Sequence, residues 1–348
     1  MLLERFKNFK EYKTETTKAK IKLSSNENPY ELPQWLREKI AERIKELSFN
    51  RYPDPTYADL KKTIADFYNL DPENIVLGNG SDEIIDILIK AVGDLKKPVM
   101  YPIPTFPMYQ VSSDIVGRPK AEFELDDSFN LKKENLDKAL EKNPDIAFFA
   151  SPNNPTGNTF NEELIEYVSW KGVFTVVDEA YIDFSDKESL YKKALKKDNF
   201  IVIRTLSKIG LAGLRIGFLI AKKEIASIID KIRPPFNITL PSQVVAEVVL
   251  TEGKDVIKSQ IEKIKSERKR VMKELEAISD VKVFPSDANF FLIKVQNADL
   301  IHKKLIEKGI LVRNVSYLPK LDNCLRISIG KPEENTEFIK ALKQVLQT

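Results

Sequence analysis

"DIAFFASPNNPTGNTFNEELIEYVSWKGVFTVVDEAY", residues 145–181, holds two apolar runs, DIAFFA (145–150) and VFTVVD (173–178), on either side of a polar loop and a helical stretch. Neither run alternates apolar with polar residues. That suits strands covered on both faces, as in a largely parallel sheet whose crossover helices lie above and below it. The ends of the two runs are separated by the length of one βαβ unit, roughly 30 residues. A third run, FIVIRT (200–205), ends one further unit along the chain.

Working outward, further short apolar runs alternate with helical stretches: IVLG (75–78), PVMYPI (98–103), AEFEL (121–125) and IGFLIA (216–221). With the first three these make seven strands, which predicts an open α/β sheet. Helices are expected around Leu36, Ile40, Ile44 and Leu47, and around Leu60, Ile64 and Phe67, with the proline-bracketed loop RYPDP (51–55) between them. Beyond RPPFNITLPS (233–242) the pattern changes. A long charged helix over about 243–278 precedes the runs VKVFPS, NFFLIKV, ILVRNV and CLRISIG. The expected organisation is an arm (1–30) without clear periodicity, a large α/β domain (31–240) and a smaller α+β domain (241–348).

Composition narrows the function. The 348 residues are 42% apolar and carry a net charge of +3 with both signs mixed. This leaves no broad basic surface for nucleic acid or membrane, so any anion site must be local. A single cysteine excludes a disulfide framework or a cysteine metal cluster, and a single histidine, His302 in a helical stretch, argues against triad or zinc chemistry. No apolar run approaches ~20 residues, and the first residues do not form a signal peptide, so a cytoplasmic protein is expected.

Open α/β sheets bind ligands outside the carboxyl ends of their strands. Three polar groups converge there on topology alone: SPNNPTG (151–157), DEAY (178–181) and Ser207-Lys208. Asp178 closes an apolar strand, where an unpaired carboxylate would cost several kcal/mol, so it should face a cationic partner. The plainer alternative is a cap on the next helix. GNGSDE (78–83) adds a glycine turn opening a helix, whose free N–H groups suit an anion. It is neither a P-loop nor a dinucleotide fingerprint, lacking the Gly-Lys-Ser/Thr of one and the third glycine of the other. Arg215 and Ser207 could bond the same anion. A lysine, a carboxylate and an anion cradle are what pyridoxal phosphate requires. Asn154 and Tyr181 are candidate donors to its phenolic oxygen, and Phe106 is a candidate aromatic face.

The set NENPY, RYPD, GNGSDE, PTFPMY, SPNNPTG, DEAYIDF, RTLSKIGLAGLRIGF and LRISIGKPEEN resembles the histidinol-phosphate aminotransferases, within the fold-type-I aminotransferases. The resemblance runs from about residue 20 onward. SPNNPTG and DEAY are shared by many aminotransferases, whereas RTLSK with LAGLR, and GILVR with LRISIG, are narrower.

The resemblance implies that Lys208 holds the cofactor and moves the substrate proton, while Asp178 keeps the pyridine nitrogen protonated. It implies that Asn154 and Tyr181 bind the phenolate oxygen and that Phe106 stacks on the ring. Backbone groups of Gly80, Ser81 and Asp82, with Ser207 and Arg215, would hold the phosphate, and Tyr52 would reach it from the second subunit of a homodimer. Arg313 and Arg326 would bind the substrate's anionic end, with Asn289 nearby and Tyr12 from the arm. Arg215 follows Lys208 by seven residues, one fewer than the family pattern SKxxxLAGLR. The activity implied is transamination between L-histidinol phosphate and 2-oxoglutarate/glutamate in histidine biosynthesis. An aromatic-amino-acid aminotransferase and a threonine-phosphate decarboxylase are the alternatives on the same fold. Transcription regulators with an aminotransferase-like domain would need an added helix-turn-helix region before NENPY.

Overall fold

Each of the seven apolar runs forms a strand in the computed structural model, which describes residues 6, 7, 9 and 17–347. Numbered along the chain after a first short strand β1 (Ile21–Leu23), they are β2 (Ile75–Asn79), β3 (Val99–Ile103), β4 (Lys120–Glu124), β5 (Ile146–Ala150), β6 (Phe174–Asp178), β7 (Phe200–Thr205) and β8 (Ile216–Ile220). The sheet runs in the order β2-β8-β7-β6-β5-β3-β4. All neighbours are parallel except β8, which is antiparallel to both β2 and β7.

The lack of alternation has its expected cause. Along β5, Ile146, Phe148 and Ala150 pack on one side of the sheet, and Ala147 and Phe149 on the other. Both faces are dry, so both residue sets must be apolar.

A second, five-stranded sheet has the order β1-β11-β12-β10-β9, with β9 (Val281–Val283), β10 (Phe290–Val295), β11 (Ile310–Asn314) and β12 (Cys324–Ser328). Its apolar face belongs to the same continuous core as one side of the large sheet. Two features differ from the sequence expectation. The segment read as an arm without periodicity contains β1, which pairs in parallel with β11. Three residues are too few to show a period, and the partner is far along the chain. The long helix over 243–278 is two helices, Leu240–Thr251 and Lys254–Glu276, the second starting after Gly253. The apolar spacing continues across the break, which hides it from periodicity.

Between β2 and β3 lies the helix Gly80–Ala91, whose N-terminus faces the carboxyl ends of the central strands. Its other end is fixed by Arg118, which is buried and donates to the carbonyls of Ile89 and Val92. Those carbonyls have no partner within the helix, so the guanidinium satisfies them and adds a favourable charge at the negative end of the dipole.

Candidate active site

A cleft of about 500 Å³ opens at the carboxyl ends of β5, β6 and β7. It is lined by Ser81, Asp82, Phe106, Asn154, Asp178, Tyr181, Ser207, Lys208 and Arg215, together with Ala150, Ala180 and Thr205. Nine site residues expected from sequence thus share one cavity, and Gly80 adjoins it.

Asp178 ends β6 and is 3% exposed. One carboxylate oxygen accepts the Tyr109 hydroxyl at 2.9 Å, and the other accepts the Ala180 N–H at 3.1 Å. Burial pushes its carboxyl up to about 6, against the pull of these two hydrogen bonds and of Lys208. The cationic partner expected from sequence is not among these contacts, which are both neutral. The Ala180 bond is a local contact two residues along, and Asp178 does not cap the next helix, Ile182–Phe184, whose N-cap is Tyr181. Tyr109 was missed at the sequence level. It is fully buried, stacks on Phe148 at 4.9 Å and meets Phe106 edge-on at 5.8 Å. Burial and the Asp178 charge hold its phenol well above the ordinary range, so it stays a donor. The motif PTFPMY contained the signal, three residues after Phe106, but nothing in the sequence aims it at Asp178.

Glu179, next in the chain, points elsewhere. It accepts from Arg204 at 3.2 Å and from the Leu190 N–H at 2.6 Å, a buried pairing that ties β6 to β7 behind the cleft.

Lys208 sits in a single π-turn, Ser207–Leu211, with Gly210 at φ 121°. Its ammonium lies 5.5 Å from the Tyr181 ring. Ser207 and the overlooked Thr205 bond through their hydroxyls at 2.9 Å, and Arg215 reaches Ser207 at 3.4 Å and Asp82 at 3.2 Å. The shorter loop therefore still delivers Arg215 to the helix start. There Gly80 has φ +77°, and a β-carbon on it would stand 2.6 Å from the Arg215 guanidinium. A β-carbon on Gly217 of β8 would run into Ser81 N and the Gly80 carbonyl carbon. Both glycines leave a cradle that a side chain would fill, at the positive end of a helix dipole.

Asn154 follows β5 in a loop fixed by its neighbour. Asn153 is fully buried, donates to the Pro104 carbonyl and the Thr156 hydroxyl, and accepts from Thr105. The Asn154 side-chain oxygen accepts from Arg326 at 2.6 Å, which leaves its NH₂ as the group to meet a ligand. Arg326 also donates to the Ser24 carbonyl at 2.6 Å. In the ladder between β11 and β12, Arg313 stands directly opposite Arg326. Asn289 is buried away from the cleft lining, and its NH₂ donates to the Asn26 carbonyl at 3.0 Å.

Tyr52 is not brought to this cleft. It is 81% exposed and stacks on Phe236 at 4.6 Å. Its loop is braced by Arg233, which donates to the Pro55 carbonyl and to Asn237, itself bonded to Tyr57. His302 has the ordinary role expected for it, with Nε2 at 3.1 Å from the Val312 carbonyl. Tyr12 lies outside the described residues. No described helix is long and apolar enough to cross a membrane.

Residues 18–342 match the family Aminotransferase class I and II. The chain is 51% identical to a histidinol-phosphate aminotransferase of Hydrogenobaculum sp., over 100% of this chain and 99% of the relative. It is 46% identical to that of Aquifex aeolicus, with the same coverage. The crystal structure of histidinol-phosphate aminotransferase from Sinorhizobium meliloti in complex with pyridoxal-5'-phosphate superposes with a TM-score of 0.83 at 26% identity, covering 95% of this chain and 92% of that one.

Proposed function

Since the chain belongs to the class I and II aminotransferases, we propose that it moves an amino group between L-histidinol phosphate and 2-oxoglutarate or glutamate, using pyridoxal phosphate, in histidine biosynthesis. We also propose a cytoplasmic homodimer.

The groups lining the cleft fit the cofactor. The cradle at Gly80, Ser81, Asp82, Ser207 and Arg215 suits a phosphate, and Asp178, whose hydrogen bonds come from neutral donors, suits a protonated ring nitrogen. When bound, pyridoxal phosphate supplies an electrophilic aldehyde and a ring that takes up the electron pair released at the substrate carbon. Lys208 is the amine that tethers the aldehyde and then carries the proton to and from the substrate carbon. Asp178 holds a proton on the ring nitrogen through charge pairing. Asn154 through its NH₂ and Tyr181 through its hydroxyl donate to the ring oxygen. Phe106 covers one ring face.

The observation that carries the choice of substrate is the register of Arg313 opposite Arg326. Two guanidinium groups brought side by side make a local positive field that attracts an anion. A phosphate has the charge and the oxygens to engage two guanidinium groups. Incubating the holoenzyme with 2-oxoglutarate and histidinol phosphate, phenylalanine or threonine phosphate tests the reading. Glutamate should form fastest with histidinol phosphate and without CO₂ release. Preference for phenylalanine, or CO₂ from threonine phosphate, would overturn it.

Arg313→Ala is expected to weaken histidinol phosphate by about ten- to two-hundred-fold, the loss of one charge-assisted contact, and glutamate much less. Arg326→Ala should damage both half-reactions, because Arg326 also holds Asn154 and the Ser24 carbonyl. Single-turnover rates of each half-reaction measure this. Equal losses for both substrates in Arg313→Ala would favour carboxylate recognition and the aromatic-aminotransferase alternative.

The exposed Tyr52, in a loop held firmly by Arg233 and Asn237, supports a role in a second subunit's site. Mixing inactive Lys208→Ala with inactive Tyr52→Ala subunits should restore partial activity, since one site of each heterodimer is intact. No recovery in proven heterodimers would sink the proposal.

A further inference from the structure

We infer that Asn26 is a positioning residue that turns the Tyr181 hydroxyl proton into the cleft; this rests on the pyridoxal-phosphate reading above. Asn26 is 1% exposed and sits at φ 55°, a left-handed conformation that asparagine tolerates better than most residues. All four of its polar groups are engaged. Its backbone N–H donates to Ser328 Oγ at 2.8 Å, and its carbonyl accepts from Asn289 at 3.0 Å. Its side-chain oxygen accepts the Ser328 hydroxyl at 2.9 Å, and its NH₂ donates to the Tyr181 oxygen at 3.1 Å.

The bonds form one directed chain. Ser328 Oγ receives the backbone N–H on one lone pair and gives its own proton to the Asn26 amide oxygen. That fixes the amide with nitrogen toward Tyr181. The Tyr181 oxygen then accepts, and its single proton must point elsewhere. Among the described residues no group accepts it. The Tyr181 ring is held edge-on by Phe290 at 4.9 Å and lines the cleft, so the O–H is aimed at whatever oxygen is bound there. An anionic aryl oxygen, the one on a pyridoxal ring, is the matching acceptor. An aspartate at position 26 would accept only, and would draw the proton backward out of the cleft.

The test is a pH titration of the visible absorption of the pyridoxal-phosphate-loaded protein. The band change with pH reports how tightly a proton is held beside the ring oxygen. In Asn26→Asp the midpoint should rise by about one pH unit, a tenfold gain in proton affinity, because the ring oxyanion has lost a donor. Ser328→Ala, which frees the amide to turn over, should shift it the same way by less, and serves if Asn26→Asp does not fold. In a Tyr181→Phe background the Asn26→Asp shift should vanish, since the two changes act through one bond. An unchanged midpoint in both single variants, or a full shift surviving in the Tyr181→Phe background, would overturn the inference. A parent protein that takes up no pyridoxal phosphate overturns the cofactor reading, and the inference with it.

Discussion

Replacing Lys208 with alanine should abolish transamination, lowering turnover by at least about 10⁴-fold, while leaving the fold intact. The loss is large because one amine is proposed both to tether the cofactor and to carry the proton. The fold is spared because Lys208 makes no bond that holds the turn together. Among the described residues it makes no hydrogen bond or ion pair; its ammonium lies 5.5 Å from the Tyr181 ring and draws weakly on Asp178. The π-turn that carries it is held by others, including the backbone bond from Leu211 N–H to the Leu206 carbonyl and the Ser207–Thr205 pair. Thermal melts of Lys208→Ala should match the parent. Borohydride reduction of the loaded parent should leave the cofactor attached to the peptide containing Lys208. Attachment to any other lysine would refute the assignment.

Asp178→Asn should slow the reaction by roughly 10²- to 10⁴-fold, the cost of removing one partner of a buried charge pair. The same change should not destabilise the cofactor-free protein. Its carboxyl is pushed up to about 6 from 3.8 by burial. Between those values the folded chain binds more protons than the unfolded one, so this residue makes stability fall as pH rises through that window. Above about pH 6 the burden is complete, on the order of 3 kcal/mol. Asparagine carries no such burden and can still accept one of the two bonds from Tyr109 and Ala180. At pH 8 the cofactor-free Asp178→Asn protein should therefore melt at or above the parent. A variant that loses activity and also melts lower at pH 8 would show that Asp178 serves the fold.

The large sheet was legible because burial on both faces leaves an unbroken apolar run, and β5, β6 and β7 each carry one. The cleft was legible for a related reason. Once three parallel strands are placed, their carboxyl ends must lie side by side, so Asn154, Asp178 and Lys208 meet without any knowledge of side-chain packing. What topology does not encode stayed hidden. Tyr109 reaches Asp178 from a helix at a distance set by ring stacking on Phe148. Asn26 reaches Tyr181 through β1, a strand too short to show a period. Arg313 and Arg326 could be seen as two arginines on successive strands, but their direct opposition depends on register. Tyr52 could be seen as a motif residue, and its exposure in one chain leaves its destination to the mixing experiment.

The pairing of β1 with β11 also sets a schedule for the newborn chain. All seven strands of the large sheet have been synthesised by residue 220, and Lys208 and Asp178 with them. Asn26 emerges far earlier but must wait for Ser328, 302 residues downstream. At 5–20 residues per second that interval is roughly 15–60 s of translation. The lysine-bearing sheet can thus form while the Tyr181 hydroxyl is still undirected and the two arginines are unmade. A chain cut short before the last strand would hold Lys208 in place with the proposed site around it unfinished. Activity is born only when the tail of the polypeptide returns to its head.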